Sequence, residues 1–135
     1  MFFPALTILT GPAIYEPKIG SPERKAQMDA LRRLVVPKLK QTVQFQATWM
    51  RSNGTAAFLW GKPVRPDGGA VDYRKTIYAE ALKEGAFDDN VYALWRKAKG
   101  KWVVNEWGIG ATDVPWDGMW TRKGLPRGLF PKMGG

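Results

Sequence analysis

Asp113 and Asp117 stand four residues apart with Trp116 between them. Paired carboxylates of this kind can share acid–base work, as in glycoside hydrolysis. Asp113, placed before Val114-Pro115, equally suits a turn that its side chain holds together. Glu106 is a third candidate. Strand phase sets it on the side of Trp95, Trp102 and Val104, where apolar neighbours raise a carboxyl pKa. At a strand end it can instead lie in water or pair with Arg or Lys. Tyr15, Tyr73, Tyr78 and Tyr92 can donate to an oxyanion, but no spacing sets one beside a base. The chain has no His and no Cys. That excludes thiol nucleophiles, Ser-His-Asp triads, disulfide scaffolds, zinc fingers and His-ligated metals, and it removes the usual general base near neutral pH. No catalytic set and no metal site is assigned.

The glycines call for no cofactor either. Gly61-Lys62-Pro63 lacks the upstream glycine spacing and the Ser or Thr of a phosphate loop. Gly108-Ile109-Gly110-Ala111 follows a strand, but no clear helix follows it, so a dinucleotide fingerprint is not expected.

Aromatic and basic residues carry the binding signal. Seven Trp stand in 135 residues, beside four Tyr and six Phe. Strand phase turns Trp49, Trp60, Trp95 and Trp102 inward. Trp107, Trp116 and Trp120 are less fixed, and with Asp113 and Asp117 they form the expected partner-binding set, since loops carry function more often than core. Lys plus Arg total 21 against 12 Asp plus Glu, a net charge of +9. Arg96, Lys97, Lys99, Lys101, Arg122 and Lys123 make the expected basic surface. Such charges can meet phosphates while Trp or Tyr stacks on bases, but they are spread along the chain and no nucleic-acid motif accompanies them. An acidic protein or an anionic envelope polymer fits them at least as well.

The elements that must position these residues follow from punctuation and periodicity. Length and a hydrophobic content of 44% fit one domain with a real core. Ser21 caps a helix that opens on Pro22 and Glu23. Met28, Leu31, Leu34 and Val35 make its apolar stripe, and Pro37 ends or bends it near Val36. Val43, Phe45, Ala47 and Trp49 alternate with polar residues as a strand does. Asn53-Gly54 supplies a two-residue turn, which sets Trp49 opposite Phe58 and Ala47 opposite Trp60, with the aromatics of both strands on one face. Residues 72–84 can hold a short helix with Ile77, Ala81 and Leu82 inside. Val91 to Arg96 and Trp102 to Ile109 form a second hairpin through Lys97 to Lys101. One side carries Val91, Ala93, Trp95, Trp102 and Val104; the other carries Tyr92, Leu94, Val103, Trp107 and Ile109. A sheet apolar on both sides needs cover on both. The helix covers one side, and the Trp-rich tail, the N-terminal arm or a second chain covers the other. The expected class is α+β: an N-terminal helix on a curved antiparallel sheet of about four strands, cystatin-like or nuclear-transport-factor-like by analogy of fold. Residues 1–20 read as an arm or the remnant of an export signal, 21–110 as the domain, and 111–135 as a Trp/Pro/Gly-rich segment packed on it.

Ser21-Pro22-Glu23-Arg24-Lys25-Ala26-Gln27-Met28-Asp29-Ala30-Leu31-Arg32 resembles the opening of a family of uncharacterised bacterial proteins, often made with an export signal. The resemblance continues in Ala93-Leu94-Trp95-Arg96-Lys97 and Gly100-Lys101-Trp102-Val103-Val104. It ends in Ile109-Gly110-Ala111-Thr112-Asp113-Val114-Pro115-Trp116, covering roughly residues 21–130. The first and last motifs are specific in combination, while the front end departs from an ordinary export signal. The family brings no established activity. It implies a periplasmic, envelope or secreted location, with the cytoplasm as the alternative.

The expected function is therefore non-catalytic binding of a protein partner, as an inhibitor, immunity or accessory module. A small-ligand or enzymatic pocket of the same fold, and a basic nucleic-acid-binding domain, are the alternatives. A homodimer is compatible with the two-sided sheet. No apolar run approaches the roughly 18 residues a membrane span needs.

Overall fold

A computed structural model describes residues 12–132. Helix α1 (Pro22–Leu39) precedes strands β1 (Gln44–Ser52) and β2 (Ala56–Val64). A 3-10 turn (Tyr73–Lys75) and a short helix α2 (Ala79–Lys83) lead to β3 (Val91–Ala98) and β4 (Lys101–Ile109). Helix α3 (Met119–Arg122) and a 3-10 turn (Arg127–Leu129) close the chain. The strands form one antiparallel sheet in the order β1-β2-β3-β4. This is the α+β arrangement of one main helix on four strands. Among the described residues no helix is long and apolar enough to cross a membrane.

Ser21 caps α1 by accepting from the Arg24 N–H at 3.2 Å, and Pro22 takes the first helical position. The helix does not stop at Val36. It runs through Pro37 and ends where Lys40 turns left-handed (φ 55°) and donates its N–H to the Val36 carbonyl. A proline this close to the end forfeits one helical bond while the flanking turns hold. Leu31, Val35 and Leu39 are fully buried, as is Gln27, whose backbone carbonyl accepts from the Trp95 indole at 2.8 Å. Leu34, expected in the stripe, is 38% exposed.

The first bend falls at Asn53-Gly54 but is shifted by one residue. Asn53 donates its N–H to the Ala56 carbonyl, and Gly54 at φ 90° takes the left-handed corner. The Asn53 side-chain oxygen accepts from the Thr55 and Ala56 N–H groups and so fixes the turn there. Trp49 consequently faces Trp60 rather than Phe58. Thr48 is then an extra residue in β1, so Ala47 pairs with Gly61, not Trp60. This bulge turns Phe45 and Ala47 toward α1 and leaves Trp49 on the opposite face with Phe58 and Trp60.

The second hairpin is longer than expected. Lys99 (φ 53°) and Gly100 (φ 77°) form a two-residue bend, and pairing runs from Ala98↔Lys101 inward. Consecutive left-handed residues match the twist of the flanking strands. Asn105 is a second extra residue: Val104 pairs with Trp95, but Glu106 pairs with Leu94 and Trp107 with Ala93. Trp107 and Ile109 therefore join the α1 side, and Glu106 moves to the other side, the reverse of the alternation read from sequence.

Two cores result. One joins α1 to Met50, Leu59, Val91, Ala93 and Trp95, and is closed at one end by Val71, Tyr73 and Phe87. Residues 72–84 bury Tyr73, and of the expected inner side Ala81 packs half-buried on the α1 core, whereas Ile77 is 69% and Leu82 40% exposed. The second core lies on the opposite face. There Ala56, Phe58, Tyr92 and Leu94 are covered by Trp116, Met119, Leu129 and Phe130 of the C-terminal segment. The expectation for residues 1–20 lies outside the described residues as far as position 11. Of the rest, Tyr15 exchanges two backbone bonds with Ser52, at 2.9 and 2.8 Å, against the edge of β1.

Candidate functional site

The expected partner-binding residues do not share one surface. Trp107 packs against the α1 core. Trp116 is buried, with ring centroids 5.5 Å from Phe58 and 5.3 Å from Trp60. It fills the second core and is not a docking side chain. A loop residue reaches the core here because the tail is the only cover described on that face. Trp120 is half-buried, packs on Phe130, and carries the Arg127 guanidinium 3.9 Å from its ring. Asp113 and Asp117 are both exposed.

Glu106 belongs to an ion cluster. Lys123 Nζ lies 3.5 Å and Arg122 3.8 Å from its carboxylate, and the Tyr92 hydroxyl is at 3.5 Å. Burial, and then the Glu106 charge, push the Tyr92 phenol above its ordinary range. Its two ion pairs make Glu106 a brace between β4 and the tail. Lys123 also donates to the Asn105 side chain at 2.8 Å, and Arg96 donates to the Lys123 carbonyl at 2.7 Å. Arg96 and Lys123 thus tie the C-terminal segment to the sheet, and Arg122, exposed, reaches Glu106 from that segment.

The remaining cations gather elsewhere. Four strands spaced about 4.8 Å apart are wider than one helix of about 10 Å with its side chains. Helix α1 therefore leaves a groove along each flank. The larger, of about 740 Å³, runs between α1 and the edge strand β4. Its helix wall is Ala26, Ala30, Arg33 and Leu34; its strand wall is Lys101 to Val104. Leu34 and Val103 are exposed, and Trp102 and Val104 are half-buried. Lys97 stands 5.5 Å over the Trp102 ring, and Lys99 is at the hairpin tip.

Charge distinguishes the two flanks. The smaller groove, about 350 Å³ beside β1, includes Arg24, Lys25 and Arg32. Glu16 pairs with Arg24 at 3.7 Å, and Asp29 pairs with Lys25 at 2.7 Å and Arg32 at 2.6 Å. Those two cations hold the Asp29 carboxyl down at about 2. In the β4 groove, Arg33 and Lys101 have no carboxylate within 4.0 Å among the described residues. The one acid lining that groove, Asp29, is already matched. Lys101 was expected in a basic surface, and Arg33 and Leu34, which line the same groove, were not expected with it. Only the crossing of helix and sheet brings them together.

Among the described residues no cluster of acids is arranged to hold a metal ion. Comparisons of the chain with protein-family models, with curated proteins and with solved structures each gave no match.

Proposed function

We propose that this protein is a non-catalytic binding module of the bacterial cell envelope that captures an acidic protein partner, as an inhibitor, immunity or accessory protein. The observation that carries this reading is the α1–β4 groove, where Arg33 and Lys101 stand without carboxylates beside exposed aliphatic surface. Unmatched cations around an apolar strip suit an acidic surface and speed its approach. Of the large apolar residues lining this groove, Leu34 and Val103 are the exposed ones. Single-stranded nucleic acid binds by stacking its bases on aromatic faces, and Trp102 is half-buried beneath Lys97. The envelope location rests on the resemblance of residues 21–130 to exported bacterial proteins.

Chromatography on immobilised polyglutamate and on single-stranded DNA tests the reading. Polyglutamate should retain the protein, and Arg33→Glu/Lys101→Glu should abolish retention with the circular dichroism spectrum unchanged. Lys62→Glu, an exposed position on β2 outside the groove, should leave retention intact. Stronger retention on DNA at equal charge density, or indifference of polyglutamate binding to the groove variant, would overturn it.

A further inference from the structure

We infer that the acidic partner binds as an extended segment that pairs with the edge of β4 and adds a fifth strand to the sheet. This rests on the proposed function above and names the form of its partner. Strand β4 ends the sheet. Among the described residues, no backbone bond from outside the sheet reaches Lys101–Val104, whereas the other edge strand, β1, exchanges two such bonds with Tyr15.

The hairpin geometry specifies which groups are open. Residues flanking a two-residue bend exchange both backbone bonds, and such pairs alternate with open ones along the ribbon. Ala98↔Lys101 and Arg96↔Val103 are then the bonded pairs, and Lys97↔Trp102 and Trp95↔Val104 the open ones. Trp102 and Val104 turn their N–H and C=O groups outward, away from β3. An unpaired row of this kind is a template for another chain. Beyond Val104 the Asn105 bulge breaks the edge, so the docking stretch is short.

The groove supplies selectivity. A strand laid along β4 would send alternate side chains under α1 toward Ala26, Ala30 and Leu34. Aliphatic residues suit those positions, and acidic residues between or beside them meet Arg33, Lys101, Lys97 and Lys99. Backbone bonds give affinity in such additions and side-chain pockets give specificity. A second copy is a poor occupant. Each chain carries +9, and pairing two β4 edges would bring their lysines together.

Amide hydrogen exchange of the full wild-type chain tests this with a capped eight-residue peptide alternating Val and Glu. Three controls accompany it: a Lys-for-Glu version, a version with Pro at alternate positions, and a thymidine oligonucleotide. Saturating Val/Glu peptide should slow exchange at the Trp102 and Val104 amides by about tenfold or more, leaving Lys101 and Val103 unchanged. The Lys and Pro versions should do nothing. If the acidic peptide shifts the Arg33 and Lys101 resonances without slowing Trp102 and Val104, strand addition is overturned and the acidic-partner reading survives. Loss of both responses overturns both. Equal binding of the Pro version, the same protection from the oligonucleotide, or prior protection of these amides in a dimer of the free protein would each overturn the inference.

Discussion

The ring of Tyr92 on β3 lies directly over Gly108 on β4, its register partner, so closely that a Cβ at position 108 would meet the ring edge at 2.7 Å. Tyr92 is buried and packs 6.0 Å from Trp116, which restricts how far it can retreat. Gly108→Ala should therefore destabilise the fold by about 1–3 kcal/mol through overpacking. Urea denaturation measures it. Truncating the ring as well, in Tyr92→Ala/Gly108→Ala, should cost less than the sum of the two single changes. Strict additivity would mean the two residues do not press on one another.

Trp116 offers a sharper contrast between core and surface. Its indole touches Phe58, Trp60 and Tyr92 of two different strands, while its own N–H is buried with no partner among the described residues. Trp116→Ala should cost about 3–5 kcal/mol and release the C-terminal cover. Trp116→Phe keeps most ring contacts and removes an unpaired donor, so it should cost clearly less. Thermal unfolding of the two variants checks the order. A Trp116→Ala protein with wild-type stability would return this residue to the list of surface binders.

The hairpins, their bends and the need for cover on both faces were legible because turn chemistry and two-residue periodicity are local. The slip at Asn53-Gly54 moved Trp49 from Phe58 to Trp60, two places along, and left both tryptophans on one face. The bulges at Thr48 and Asn105 each insert one residue, and a single residue reverses every side chain beyond it. Trp107 and Glu106 changed sides for that reason, and no residue type announced it. The burial of Trp116 and the sharing of one groove by Arg33 and Lys101 are long-range outcomes of how the tail and α1 lie on the sheet. Spacing along the chain holds no trace of either.

Burial raises the pKa of each tyrosine: Tyr15, Tyr73, Tyr78 and Tyr92. Carboxylates add to it, Glu23 at Tyr15, Asp89 at Tyr73 and Glu106 at Tyr92. A raised folded pKa means the native chain holds its phenolic protons longer than the unfolded one. Stability is then fully present below the ordinary value of 10.0 and is lost as pH rises through the higher folded values. Near-ultraviolet phenolate absorbance should stay low past pH 10.0 and then rise together with unfolding. Reversible titration of Tyr73 or Tyr92 at the ordinary value in folded protein would contradict their burial.

At the acid end the sign reverses. Asp29 is fixed by Lys25 and Arg32 on α1, and their hydrogen bonds lower its pKa from 3.8 to about 2. A depressed folded pKa contributes stability that is complete above the unfolded value and is lost as pH falls through the folded one. The wild-type chain should therefore lose stability more steeply between pH 3.8 and about 2 than Asp29→Asn does, and the two should differ least at the acid extreme. All three side chains meet solvent, so added salt should shrink the difference at neutral pH. Denaturation curves across that acid window, at low and high salt, decide it. Parallel acid profiles for wild type and variant would show that this carboxylate does not sense its two cations.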